Sequence, residues 1–161
     1  MLQLTKTVLN HDMKMVRKME GKSAMDILEE AGIHPNRPVR LVVVRTFAKH
    51  PLVLEECLMP VVPLVAVADF EEALETALFT EQGYRHTAMV HSQCIDRLSK
   101  AAKIMNTTVF IKNGSSLAGI GLNGEEMASF TIANVTGEGI TTARDFACKR
   151  SCTLTSGFSL R

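Results

Sequence analysis

Three observations predict an α/β fold built on an open parallel sheet with crossover helices. Runs rich in β-branched residues recur along the chain. Helical patterns of about ten to fifteen residues, several with their own capping signals, alternate with them. The first run, Val39 to Phe47, is rich in β-branched residues, as in a strand covered on both faces of a parallel sheet.

The elements follow in order. Leu4, Val8, Leu9, Met13 and Val16 recur at roughly helical spacing, which predicts an amphipathic helix within residues 1 to 20. Ser23 reads as an N-cap with Asp26 in the first turn and Gly32 past the end, predicting a helix over 24 to 31. The segment His34-Pro-Asn-Arg-Pro38 breaks the chain before the first strand. Pro51 suits a first helical position, so a short helix should carry Leu52 to Cys57 until Met59-Pro60 ends it.

Val61 to Val67 forms the second strand, and Asp69 with Glu72 opens a helix through Gln82 with Gly83 as terminator. His86 to His91 gives a third strand, Ser92 to Met105 a helix, and Thr107 to Lys112 a fourth strand. A loop of about twenty residues follows, longer than compact domains usually keep without a functional reason. Ser129 to Ile132 within it looks extended, and a helix near Thr141 to Cys148 and a strand over Ser151 to Thr155 complete the chain. In open parallel sheets ligands gather beyond the carboxyl ends of the strands, which directs attention to the segments after Thr46, Ala68, His91 and Lys112.

With 161 residues and 46% hydrophobic content, the chain can bury one sizeable core. Eighteen Lys and Arg against seventeen Asp and Glu give a net charge of +1, no field for holding nucleic acid or anionic lipid. No apolar run reaches the ~18 to 20 residues that span a bilayer, and the first residues lack the pattern of a signal peptide, so a cytoplasmic protein is expected. Cys57, Cys94, Cys148 and Cys152 form no zinc-ligand spacing and suit a reducing compartment; no metal site is expected.

Gly119-Ile-Gly-Leu-Asn-Gly124 satisfies G-x-G-x-x-G, yet Ser115 to Ala118 separate it from the preceding strand and no helix opens at its last glycine. A dinucleotide fingerprint needs both features, so that free N–H groups meet the pyrophosphate. The segment reads better as an active-site loop. His86 and His91 flank a strand expected to be mostly buried, and read first as structural histidines.

Gly21-Lys-Ser-Ala24, Glu56 with Met59-Pro60, Arg85-His-Thr-Ala-Met-Val-His-Ser92, Phe110-Ile-Lys-Asn-Gly114, Ala118-Gly-Ile-Gly121, Thr136-Gly-Glu-Gly139 and Leu154-Thr-Ser156 together resemble the carboxyl-terminal part of the CoA-acylating aldehyde dehydrogenases of ethanolamine and propanediol utilisation. The resemblance covers nearly everything from Gly21 to Arg161 and divides the chain into an amphipathic segment at 1–20, a partial catalytic domain at 21–149 and an oligomerisation strand at 150–161. It implies oxidation of a short aldehyde, acetaldehyde or propionaldehyde, to its acyl-CoA through a cysteine thioester, with NAD as hydride acceptor and CoA as co-substrate.

Under the resemblance, Glu56 of the E-x-x-x-P element binds the nicotinamide ribose hydroxyls, a task suited to a carboxylate that accepts two protons. Asn113, Gly114, Ser115, Gly119 and Gly121 correspond to the segment lining the aldehyde channel. Without it, Glu56 reads as a solvated glutamate at a helix end, and Asn113-Gly114 as a plain turn leaving a strand. The family's nucleophilic cysteine lies before the region matched by Gly21, and none of the four cysteines here corresponds to it. No catalytic residue is therefore assigned, and the isolated chain is expected to be inactive. The resemblance further implies a homo-oligomer, in the cytoplasm or inside a bacterial microcompartment. A non-catalytic truncated subunit or oligomerisation module is the alternative.

Overall fold

The computed structural model describes residues 2–124, 128–133, 139–151, 153 and 155. It divides into two compact units, Met1–Tyr84 and Arg85–Arg161.

In the first unit, helix α1 (Leu2–Val8) ends much earlier than the apolar spacing predicts. Asn10 stops it: its side-chain oxygen accepts from the amides of Asp12 and Lys14, both at 2.9 Å, and Met13 takes a left-handed φ of 60°. The chain folds back so that Leu9 bridges Met15 in antiparallel fashion. A short polar side chain that satisfies the backbone locally competes with helix, and here it wins. Val16 still reaches the core, but as part of the returning segment.

Helix α2 (Ala24–Glu30) carries the predicted capping box, Ser23 accepting from the Asp26 amide and Asp26 accepting from the Ser23 amide. Strand β1 (Val42–Thr46) leads to the single-turn helix α3 (Pro51–Leu54), then to strand β2 (Val61–Val65) and helix α4 (Phe70–Glu81). Buried His50 caps α3, its Nδ1 accepting from the Leu52 amide at 3.2 Å. Extended backbone at Glu55 ends that helix well before Cys57. Asp69 caps α4 as predicted, while Glu72 reaches back one residue further to the Ala68 amide.

Strands β1 and β2 pair in parallel, Val42 opposite Val61 through Thr46 opposite Val65. Val44 and Val61 share a buried cluster with Leu4, Val8, Ile27 and Leu52, so helices occupy that side of the pair. The burial of a doubly covered strand is not observed. Val43 and Arg45, and across from them Val62 and Leu64, remain exposed.

The second unit repeats the parallel plan with strand β3 (Thr87–Val90), helix α5 (Ile95–Met105) and strand β4 (Val109–Lys112), paired Thr87 opposite Val109 through Val90 opposite Lys112. Ala101 and Met105 of α5 are buried, as are Val109 and Ile111 of β4. Strands β5 (Thr131–Ala133) and β6 (Gly139–Thr141) form an antiparallel pair. Buried Thr141 donates to the Thr131 carbonyl, and Ser129 donates to that of Thr141.

Thr141–Cys148 does not form the predicted helix. Its start is the end of β6, and Asp145 then accepts from the Thr142 amide and hydroxyl at 2.6 and 3.0 Å, closing a turn. Of the predicted strand over 151–155, the described residues Ser151, Thr153 and Thr155 are not in a strand, and Cys152 and Leu154 lie outside the described residues. The α/β class stands, with its parallel pairs forming separate two-stranded ladders among the described residues. No helix of the described residues is long and apolar enough to cross a membrane.

Candidate functional site

Glu56 belongs to the first unit, in the irregular segment between α3 and β2, and is exposed. The segment is held on both sides of it, before it by the Glu55 amide donating to the Pro51 carbonyl at 2.9 Å and after it by Cys57 and Leu58. The half-buried Cys57 thiol lies 3.4 Å from the Leu52 carbonyl, and the Leu58 carbonyl accepts from Gly21 at 2.9 Å. Burial pushes the Cys57 thiol up from its ordinary range, with the Glu55 carboxylate adding to the effect. Such a thiol is a poorer nucleophile at neutral pH than a free one. Cys94 and Cys148 are exposed and free, and Cys152 lies outside the described residues.

In the second unit the structure brings Asn113, Gly114, Ser115, Gly119 and Gly121 into one loop leaving β4. Asn113 has a left-handed φ of 55°, and its own amide donates to the Val90 carbonyl at 2.8 Å. Its side chain clamps Ser92: Oδ1 accepts from the Ser92 amide at 2.7 Å and Nδ2 donates to the Ser92 carbonyl at 2.9 Å. Three hydrogen bonds from one residue thus tie together the carboxyl ends of β3 and β4, the end at which parallel sheets collect ligands.

Ser115 accepts from the Leu117 amide and opens a 3₁₀ turn over Ser116–Ile120, which closes at Gly121 with φ 96°. Gly119 is buried against β4, and a Cβ there would collide with the Val109 side chain. The G-x-G-x-x-G glycines therefore serve close packing and a turn. The turn over Ser116–Ile120 stands between the end of β4 and the later glycines, where a pyrophosphate site would need the tight turn directly after the strand.

Beside β4 lies an open cleft of about 430 Å³, lined by Thr108 to Lys112 together with Gly119, Gly124 and Ile140. His86 and His91, expected beside a mostly buried strand, are both exposed, because a two-stranded ladder leaves their surroundings open. His86 Nδ1 sits 2.7 Å from the Thr87 hydroxyl. Sequence reasoning missed the Asn113–Ser92 clamp; its signal is an Asn-Gly pair directly after a strand, but the partner lies 21 residues away. It also missed His50 as a cap, although His50-Pro51 marked the helix start.

No family model matches the chain. It is 50% identical over 146 residues to a propanal dehydrogenase (CoA-propanoylating) of Salmonella typhimurium, a match covering 90% of this chain and 32% of that relative. Among solved structures, the propionaldehyde dehydrogenase of Rhodopseudomonas palustris with bound CoA and an acylated cysteine superposes with a TM-score of 0.87 at 40% identity, covering 95% of this chain and 35% of that one. An engineered glycolyl-CoA reductase with bound NADP+ gives the same TM-score, identity and coverage. The propionaldehyde dehydrogenase from the fucose utilisation microcompartment of Clostridium phytofermentans gives a TM-score of 0.86 at 36% identity over 99% of this chain and 37% of that one. The chain is thus, over nine-tenths of its length, a homologue of the CoA-acylating propanal and acetaldehyde dehydrogenases, spanning about a third of theirs.

Proposed function

We propose that the chain forms part of an NAD-dependent CoA-acylating aldehyde dehydrogenase acting on a short aldehyde, propionaldehyde or acetaldehyde, with the cysteine nucleophile outside this chain. The observation that carries the reading is the identity of 50% over 146 residues to a CoA-propanoylating enzyme. Bound CoA and NADP+ in the similar structures support CoA and a nicotinamide cofactor as ligands of the complete protein.

The residues present fit a cofactor at one point. Glu56 is an exposed carboxylate in a segment tethered on both sides, where it can accept two hydrogen bonds from a ribose. The nicotinamide, when bound, supplies the hydride acceptor. Glu56 holds and orients it, and an error of ~1 Å in that placement slows transfer steeply. Asn113, Gly114, Ser115, Gly119 and Gly121 shape one wall of the aldehyde channel, the glycines by letting the loop lie close on β4 and Asn113 by fixing the loop's departure point.

Residues 150–161 supply a strand to a homo-oligomer, and the assembly works in the cytoplasm or in a microcompartment, as the origin of one similar structure suggests. The span of only about a third of the relative's length favours a second reading in which the chain alone is a non-catalytic subunit.

The test replaces the matched 146-residue stretch of the Salmonella enzyme with this chain and measures NADH formation from propanal and CoA. The proposal expects turnover, and expects Glu56→Gln in the chimera to slow hydride transfer while transfer of an acyl group from acyl-CoA to the enzyme continues. A folded chimera without turnover overturns the enzymatic reading. An unchanged dehydrogenase rate at saturating NAD removes Glu56 from the site.

A further inference from the structure

His50, only 7% exposed, and the half-buried Cys57 stand on either side of helix α3, and neither has a part in the chemistry described above. Their polar atoms converge on one residue. His50 Nδ1 accepts from the Leu52 amide at 3.2 Å, and the Cys57 thiol donates to the Leu52 carbonyl at 3.4 Å. The Leu52 side chain, 1% exposed, lies in the cluster that holds Val44 and Val61. Leu52 is therefore held by its amide, its carbonyl and its side chain at once.

Such tethering matters because α3 cannot hold itself. A helix of four residues is far shorter than helices that persist in water, so its geometry comes from its surroundings. Burial of Leu52 fixes how deep the turn sits, but apolar contact is non-directional and leaves its rotation open. Hydrogen bonds are directional and supply the missing restraint. The Phe47 ring, edge-on to the His50 imidazole with centroids 5.5 Å apart, limits movement of the cap itself. At the other end Gln82, just past α4, donates to the Leu54 carbonyl at 2.8 Å. The backbone turns extended at Glu55, and Glu56 is the next residue.

We propose that His50 and Cys57 are positioning residues for hydride transfer: through Leu52 they set the backbone from which Glu56 reaches the nicotinamide ribose. The inference rests on the cofactor role of Glu56 given above. Cys57 suits the task because burial raises its thiol above the ordinary range, which keeps it a protonated donor at neutral pH. His50 suits it because Nδ1 stands as many bonds from the backbone as the Oδ1 of asparagine, a common N-cap acceptor.

The test uses the Salmonella chimera and reads two rates in each variant. One is hydride transfer, from the first turnover of NADH formation at saturating NAD; the other is transfer of an acyl group from acyl-CoA to the enzyme, which needs no nicotinamide. His50→Ala and Cys57→Ala should each slow hydride transfer by about tenfold or more, given how steeply rate falls with a ~1 Å displacement, and leave acyl transfer within about twofold. Combined with Glu56→Gln, neither should slow hydride transfer further, because residues that act through one group are not additive. His50→Asn should recover most of the loss, and Cys57→Ser, which keeps a donor, part of it.

A parallel fall of both rates would reveal a general loss of structure and overturn the inference. Losses that add to that of Glu56→Gln overturn it as well. Rates unchanged in both alanine variants, with Glu56→Gln slow, overturn it and leave the cofactor role of Glu56 standing. An inactive chimera, or a Glu56→Gln without effect, refutes the reading beneath the inference and the inference with it. Where His50→Ala does not fold, Cys57→Ala and its Cys57→Ser rescue decide by the same outcomes.

Discussion

Asn113 does more than its neighbours in the candidate site, because one side chain satisfies two backbone groups of a segment 21 residues away. Replacing it with alanine removes both bonds and places a Cβ residue without local polar compensation at a φ of 55°. Asn113→Ala should destabilise the second unit by about 2 kcal/mol, the sum of lost hydrogen bonds and left-handed strain. Asn113→Asp, which keeps the acceptor for the Ser92 amide but loses the donor to its carbonyl, should fall between the two in denaturant unfolding. Gly119 makes the opposite test, since there an atom is added. Gly119→Ala drives a methyl group into Val109 and should cost about 1–3 kcal/mol. Val109→Ala in the same chain should recover part of that loss, whereas equal or additive losses would show that the two residues do not meet.

The elements that were legible in the sequence are those whose signals are local. Ser23 with Asp26, Pro51 after His50, and Asp69 with Glu72 each announced a helix start within four residues of chain, and all three helices begin there. Helix ends were read less well. Asn10 stopped α1 by accepting from two amides ahead of it, a competition that hydrophobic spacing does not register. Asp145 likewise turned an expected helix into a capped turn. At the candidate site, the loop after β4 was found from its Asn-Gly chemistry and its family resemblance, but the clamp to Ser92 depends on the parallel pairing of β3 and β4, which no local pattern encodes.

The capping box of α2 also carries a pH dependence. The Ser23 hydroxyl and amide hold the Asp26 carboxyl below its usual range, and the Lys18 ammonium at 2.8 Å does the same for Glu30 at the helix's other end. A carboxyl depressed in the folded state binds fewer protons there than in the unfolded chain, so its contribution is complete above the unfolded pKa and is lost as pH falls through the folded one. Their contribution to the first unit's stability should therefore be complete from neutrality to about pH 5 and decline progressively below about pH 4. Ser23→Ala should lower the denaturation midpoint at pH 7 and flatten the acid limb. An acid limb identical to that of the unaltered chain would separate Asp26 from the effect.

For the whole molecule, the proposed division of the enzyme between this chain and the rest of a longer polypeptide predicts that the chain alone makes no NADH from propanal and CoA. Loss of the covalent step removes several orders of magnitude in rate. Turnover near ~1 per second by the isolated chain, an ordinary enzyme rate, would place a nucleophile within it, and replacing Cys57, Cys94, Cys148 and Cys152 singly would identify it. Removal of residues 150–161 tests the proposed assembly strand: light scattering should report a smaller mass for the shortened chain than for the intact one.

The two parallel ladders have a consequence for how the chain reaches its fold. Val42 meets Val61, and Thr87 meets Val109, each pair about twenty residues apart, with a single helix in the intervening stretch. Closing a loop of that size loses little more chain entropy than closing one half as long, about 0.6 kcal/mol per doubling. Each β-α-β stretch can therefore collapse on itself without waiting for distant sequence, and pairings this local favour rapid folding. In a longer polypeptide of this kind, these stretches would be early-forming nuclei on which slower, far-reaching strand pairings are laid down.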